Sequence, residues 1–168
     1  MPDLDVAIRA INGDDKAFLL LLEQQEDVHY RIAYSYFKNE HDALDAIQEF
    51  TYRSLKKRHT VQKPEYLSTW LVRVLLNVCH DMKKKKKKIE LRDSIELSEQ
   101  VDNTHLELSE AISTLSPEQQ QLIYLKYYRD LKMQEIAQEI RIPEGTVKSR
   151  LHTALRKLRK FFGEGNPL

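Results

Sequence analysis

Apolar residues recur at helical spacing along most of the chain, in segments divided by short polar or proline-containing breaks. A short helix is expected over residues 3–11. Phe18, Leu21, Leu22, Val28, Ile32, Ala33, Tyr36 and Phe37 predict one long helix over 14–38. Ala43, Ala46, Ile47, Phe50 and Leu55 predict another over 40–58, and Leu67, Trp70, Leu71, Val74, Leu75 and Val78 a further one over 65–85. His59 to Pro64 reads as loop, because proline disfavours helix at Lys63 and suits the first turn of the next helix. The apolar period fades over 89–108, where Leu91, Ile95, Leu97 and Val101 are scattered among acids, so this stretch reads as a flexible tether. Order returns at Ser116-Pro117-Glu118-Gln119, which supplies an N-cap, a first-turn proline and a glutamine at N3. A helix to about Arg129 should follow, burying Leu122, Ile123, Leu125 and Tyr127 or Tyr128.

Composition agrees with helix and adds a charge pattern. Only four glycines and five prolines occur in 168 residues, too few for the many turns of a β sandwich. The net charge of +1 conceals segregation. Residues 1–30 carry seven acids against two bases, and Lys83 to Lys88 is an unbroken run of six lysines. Residues 89–110 hold seven acids and one base, whereas 141–160 hold seven Lys/Arg against Glu144 alone. Local basic blocks of this kind can bind phosphates whatever the overall balance. Cys79 stands alone, which excludes an intrachain disulfide and a cysteine-based zinc site; it reads as a small buried side chain. The acidic, amphipathic start resembles no secretory leader, and the longest apolar run, Ala17 to Leu22, cannot span a bilayer. A cytoplasmic protein is expected.

The most informative segment runs from Met133 to Leu151. Ile136, Ala137, Ile140, Ile142, Val147 and Leu151 have the spacing of a helix-turn-helix core, with a tight turn at Arg141-Ile142-Pro143 and a long basic helix over 144–161. That packing turns Glu144, Thr146, Ser149 and Arg150 outward, with Lys148 and His152 beside them. The first residues of a recognition helix reach base edges in the major groove. Arg150 or Lys148 can meet guanine O6 and N7, and Thr146 and Ser149 bases or phosphates. Arg156, with Lys157, Arg159 and Lys160, suits phosphate anchoring. A basic helix alone would more often be a solvated face; the turn, core spacing and polar start together point to DNA.

Leu115-Ser116-Pro117-Glu118-Gln119 through Arg159 resembles the carboxy-terminal promoter-binding domain of the extracytoplasmic-function (ECF) group of sigma factors. Glu135-Ile136-Ala137 followed by Pro143-Glu144-Gly145-Thr146-Val147-Lys148-Ser149-Arg150-Leu151 carries the likeness most specifically. It implies that residues 144–152 read a −35 promoter element. Arg141 stands where that family commonly has glycine; a left-handed conformation there would cost about 1 kcal/mol.

The amino-terminal half extends the resemblance. Asp42-Ala43-Leu44-Asp45-Ala46-Ile47-Gln48-Glu49 is similar to the family helix that docks on the polymerase clamp coiled coil, though Leu44 replaces a usual acid and Thr51 a usual phenylalanine. The likeness makes Asp42, Asp45, Gln48, Glu49 and Arg53 the expected solvent-facing contacts to core polymerase. Thr69-Trp70-Leu71 through Asp81 resembles the family helix that engages the −10 element. Capturing an unpaired strand needs ring faces, polar edges and cations. Tyr66 and Trp70 offer rings, Ser68 and Asn77 polar edges, and Arg73, Lys83 and Lys84 charge. Trp70, among Leu67, Leu71 and Val74, reads first as a packing residue. The lysine run replaces the family's usual arginines and is expected to grip backbone nonspecifically.

The expected architecture is therefore all-α. A helical bundle over 1–88 would bind polymerase and the −10 element, an acidic linker would span 89–108, and a helix-turn-helix domain over 109–168 would bind the −35 element. The resemblance implies a polymerase partner (clamp coiled coil and flap), promoter DNA and a membrane-associated anti-sigma factor. A stand-alone helix-turn-helix repressor or activator is the rival reading. An enzyme is not expected. The six histidines show no metal-ligand spacing, no nucleophile triad or phosphate loop occurs, and no cofactor is implied. His29, His41 and His59 read as surface or capping residues.

Overall fold

The computed structural model describes residues 3–92 and 104–163. No strand occurs among them, and the chain divides into two compact units, Met1–Glu99 and Gln100–Leu168. The first unit contains α1 (Leu4–Ile11), α2 (Asp15–Gln24), α3 (Glu26–Phe37), α4 (Glu40–Lys57) and α5 (Leu67–Arg92). The second contains α6 (Thr104–Ser113), α7 (Pro117–Ile123), α8 (Met133–Ile140) and α9 (Glu144–Phe161). No helix among the described residues is long and apolar enough to cross a membrane.

In the first unit, polar caps set the helix starts. Asp3, Asp14 and Asn39 each accept a backbone N–H at the head of α1, α2 and α4, satisfying a donor that the helix cannot. Lys38 enters the left-handed region at φ 55° and ends α3 with a bond to the Tyr34 carbonyl. The single helix expected over 14–38 is broken at Gln25, whose φ of −109° separates α2 from α3. The break has a long-range reason: the Gln25 side-chain amide donates to Ser68 Oγ on α5 at 2.8 Å. The loop expected at 59–64 contains two short 3-10 turns, Arg58–Thr60 and Pro64–Tyr66. Arg58 holds it down, pairing with Asp15 and lying 5.5 Å from the Phe18 ring centre.

The core joins Phe18 and Leu21 to Ala33, Tyr36, Ala43, Ala46 and Phe50, and to Leu67, Leu71, Leu75, Val78 and Cys79 on α5. Ala43 and Ala46 are fully buried, and their small side chains let α4 lie close to its neighbours. Burial pushes the Cys79 thiol up to about 12, so it is inert as a nucleophile at neutral pH.

In the second unit, Ser116 and Gln119 form the expected reciprocal capping box. Beyond Ile123 the helix widens into a π turn at Tyr124–Tyr128, closed by Arg129 N–H on the Tyr124 carbonyl. The expectation that Tyr127 or Tyr128 is buried is therefore corrected: both are 59% exposed. The wider turn rotates them off the inner face, while Leu125 stays buried and Tyr124 stacks on Tyr128 at 5.0 Å. Leu122, Leu125, Ile136, Val147 and Leu151 form one cluster, with Ala137, Ile140 and Ile142 against it. Ala111 and Leu115 of the α6 segment pack with Ala154 and Leu158 of α9 in a second. The expected tether shrinks from both ends, since 89–92 belong to α5 and 104–108 to α6; residues 93–103 lie outside those described.

Arg141 adopts the left-handed conformation (φ 57°, ψ 47°) at the end of α8, and Ile142 N–H bonds the Ala137 carbonyl behind it. An L-residue there carries strain of about 1 kcal/mol that glycine would not. Arg141→Gly is therefore expected to stabilise the carboxy-terminal unit by about 1 kcal/mol. Hydrogen exchange at the buried Val147 and Leu151 amides of the full chain measures this. Unchanged or lower protection would show that the bend is unstrained.

Candidate nucleic-acid interface

The helix-turn-helix places the side chains of α9 by simple geometry. Val147, Leu151, Ala154 and Leu158 are buried, so the opposite side faces solvent. At about 100° per residue, Gly145, Ser149, His152, Arg156 and Lys160 form one exposed stripe. Lys148 and Arg150 stand on opposite flanks of it and cannot meet the same base edge. Glu144 is exposed and lies 3.3 Å from Lys148, while Thr146 is half-buried at the edge of the face. All seven residues expected on this surface thus lie on or beside it, and Arg156 falls two turns along, where a groove wall would be.

Helix α5 divides in the same way. Leu67, Leu71, Val72, Leu75, Val78 and Cys79 face inward, and Arg73, Asn77 and Lys84 are exposed at i, i+4 and i+11. Trp70 and Tyr66 are half-buried at the head of this stripe, so each ring is partly spent on packing. Lys63 lies 5.5 Å from the centre of the Tyr66 ring. Ser68 is corrected: it is only 9% exposed, and its hydroxyl accepts from Gln25, so it offers no edge to a base. The lysine run also divides. Lys83 is half-buried over the Tyr36 ring at 5.7 Å, and Lys86 bonds Asp42 at 2.6 Å. Lys84, Lys85, Lys87 and Lys88 are exposed, as is Lys86 beyond its bond to Asp42.

Helix α4 departs most from expectation. Asp45 and Gln48 are exposed, but Asp42, Glu49 and Arg53 are half-buried and engaged within the fold. The Lys86 ammonium and the Asn39 amide hold the Asp42 carboxyl below the usual carboxylate range. Arg53 donates to Glu49 at 2.7 Å and to Asp81 of α5 at 3.2 Å. These three residues lie along the α4–α5 seam because charged side chains at a helix–helix margin find partners there. His41, Asp42 and Asp45 bring possible ligand atoms within 4.8 Å of one another, but Asp42 is already committed to Lys86.

On the other side of α4 is an apolar groove of about 280 Å³, lined by Leu19, Leu22, Tyr30, Leu44, Ile47 and Phe50, with Glu23 and Glu26 also lining it. Leu19 and Leu44 are 52% and 45% exposed. The sequence signal was Leu44 itself, an apolar residue on a face otherwise polar. His29 also lines the groove, so the expectation of a surface or capping histidine is corrected. It is 3% exposed and packed edge-on against Phe50 at 4.8 Å; its Nε2 has no hydrogen-bond partner.

Residues 21–89 match the family model for Sigma-70 region 2, and residues 111–160 that for Sigma-70, region 4. RNA polymerase sigma factor SigV of Bacillus subtilis (strain 168) is 36% identical over 135 residues, covering 77% of this chain and 81% of that protein. ECF RNA polymerase sigma factor SigW of the same organism is 30% identical over 175 residues, covering 88% and 90%. This chain belongs to the ECF group of RNA polymerase sigma factors. Two solved structures share its fold. CnrH in complex with the cytosolic domain of CnrY has a TM-score of 0.63 at 19% identity, covering 99% of this chain and 100% of that one. The sigma factor RpoE in complex with the anti-sigma factor NepR, from Bartonella quintana, has a TM-score of 0.59 at 21% identity, covering 90% and 99%.

The sigma factor's α9 stripe and α5 stripe lie within the two matched segments, and so does the α4 groove apart from Leu19. The groove gives the protein an acid sensitivity of its own. Burial pushes His29 from 6.5 down to about 4, so it is neutral in the fold. The unfolded chain protonates it at the ordinary value. Stability from this group is complete above pH 6.5 and is lost as pH falls toward 4, by roughly 3 kcal/mol. His29→Phe should flatten that loss in urea unfolding at pH 7, 5.5 and 4.5. An unchanged pH slope would show that His29 does not cause it.

Proposed function

We propose that this sigma factor directs core RNA polymerase to promoters by reading two elements with its two units. In this reading the amino-terminal unit, residues 1–88, engages polymerase and the −10 element, and the carboxy-terminal unit, residues 109–168, the −35 element. The observation that carries it is α9: a helix with a fully buried apolar side presents Ser149, His152 and Arg156 as one exposed stripe, with Lys148 and Arg150 on its flanks. This is the chemistry that enters a major groove with base-reading groups first and phosphate contacts behind. The exposed Arg73, Asn77 and Lys84 on α5, headed by Tyr66 and Trp70, suit a strand already opened, because partly exposed rings can stack on bases.

Polymerase docks on α4. Asp45 and Gln48 supply the polar contact, and the neighbouring groove at Leu44 and Ile47 takes the apolar side of a polymerase helix. Asp42, Glu49 and Arg53 hold α4 to α5 or brace that seam. An anti-sigma factor of the kind present in the NepR complex covers these surfaces until a signal releases them, and membrane attachment of that inhibitor keeps the sigma factor at the cytoplasmic face. The chain performs no chemistry itself; it supplies selectivity to the enzyme that carries it. A stand-alone repressor is disfavoured because a protein binding operators unaided has no use for the region 2 segment at 21–89.

Run-off transcription with purified core polymerase and a promoter library tests the reading. Promoter-specific transcripts that require this chain are expected, and failure to associate with core polymerase would overturn it. Arg150→Ala should reduce transcription from promoters with an intact upstream element about tenfold, in line with about 1–3 kcal/mol for one good base contact. Equal activity of that variant on all promoters would remove α9 as the reading helix.

A further inference from the structure

From the half-buried Trp70, the exposed stripe of α5 runs through Arg73, Asn77, Asp81, Lys84 and Lys88, each three or four residues from the next. Asp81 is the acid in the middle of this otherwise neutral or basic run, one turn from Asn77 and three residues from Lys84. A carboxylate there repels any backbone that follows the stripe. Its side chain is 53% exposed, so burial does not silence it. What stands against it is Arg53, reaching across from α4 to place Nη1 3.2 Å from Asp81 Oδ2. Glu49, one turn back on α4, takes Arg53 Nε at 2.7 Å and so fixes the guanidinium with its other end directed at α5. The arrangement looks built for direction: one carboxylate orients the cation, and the cation covers the other carboxylate.

We propose that Arg53 serves the nucleic-acid face rather than the polymerase face, neutralising Asp81 so that a DNA backbone can follow α5 from Tyr66 to Lys84. The proposal rests on the reading of α5 as a DNA-contacting helix. Arg53 is a positioning residue here: it touches Asp81 and Glu49 and acts on DNA only through the charge it cancels. Asp81 in turn sets how strongly the stripe holds backbone without regard to sequence. An asparagine in its place would remove the repelling carboxylate while Glu49 still pairs Arg53, and so raise nonspecific affinity.

The test uses the full chain assembled with core polymerase, and a fluorescent mixed-sequence single strand of about 20 nucleotides as probe, with anisotropy followed over a range of salt. Arg53→Gln should weaken binding about three- to tenfold at low salt. Asp81→Asn should tighten it about two- to fivefold, and the double variant should bind within about twofold of Asp81→Asn, because no carboxylate is then left for Arg53 to cancel. A double variant as weak as Arg53→Gln would overturn the proposal, as would loss of polymerase association on Arg53→Gln. Should Arg53→Gln not fold, Asp81→Asn decides alone: unchanged or weaker binding rejects the idea. Arg73→Ala separates the two layers. If it binds as the parent does, α5 is not the DNA face; if it weakens binding while the Arg53–Asp81 cycle shows no coupling, only the present proposal fails.

Discussion

A helix in a small bundle has one inner face to spend on packing, and that constraint decides where this protein can act. On α5, Leu71, Leu75, Val78 and Cys79 are buried. Their burial fixes the rotation of the helix, because turning it by one residue would swing about 100° of apolar surface into water. Arg73, Asn77 and Lys84 are exposed as a direct consequence. The same holds for α9, where Val147, Leu151, Ala154 and Leu158 set the rotation and Ser149, His152 and Arg156 follow. Exposed faces are whatever the core leaves over, so core substitutions at these positions would redirect those faces as well as weaken the fold.

Charge then divides what is left over into groups that hold the fold and groups that face a partner. Ion pairs at solvent-exposed sites contribute little each, since water screens them and side-chain entropy opposes them. Lys86–Asp42 and Arg53–Asp81 are partly exposed pairs of this kind, so their value lies less in stability than in which charges they withdraw. Asp42 and Lys86 cancel each other between α4 and α5, and Lys83 lies over Tyr36. A lysine run that looks uniform in sequence is thereby divided, with Lys83 and Lys86 engaged within the fold and Lys84, Lys85, Lys87 and Lys88 exposed without such a contact to Tyr36 or Asp42.

The helix-turn-helix was legible in sequence nearly to the residue, because its determinants are local. The capping box at Ser116, the apolar spacing from Ile136 to Leu151 and Pro143 after the bend all act within a few residues of one another. What escaped depends on distant partners. The break at Gln25 answers to Ser68, 43 residues away, and Arg53 to Asp81, 28 residues away. No periodicity records such pairings. His29 lies on a helix whose polar and apolar positions alternate too closely to assign by pattern, and only the arrival of Phe50 decides that it is buried. The π turn at Tyr124–Tyr128 escaped for a related reason: helical period assumes the ordinary number of residues per turn, and one widened turn shifts every later tyrosine.

On the proposed reading the two faces differ in what they ask of nucleic acid, and the difference gives a reason for both to lie on one chain. Major-groove reading, as proposed for α9, needs an intact duplex, whose groove edges are readable only while the bases are paired. Stacking, as proposed for Tyr66 and Trp70, needs the opposite, a strand whose bases have left the stack and can meet a ring. Neither face opens a duplex by itself, since unstacking costs a few kcal/mol and two half-buried rings return only part of it. Joining them converts the second contact into an intramolecular event, so the duplex contact holds the opening region at high effective concentration.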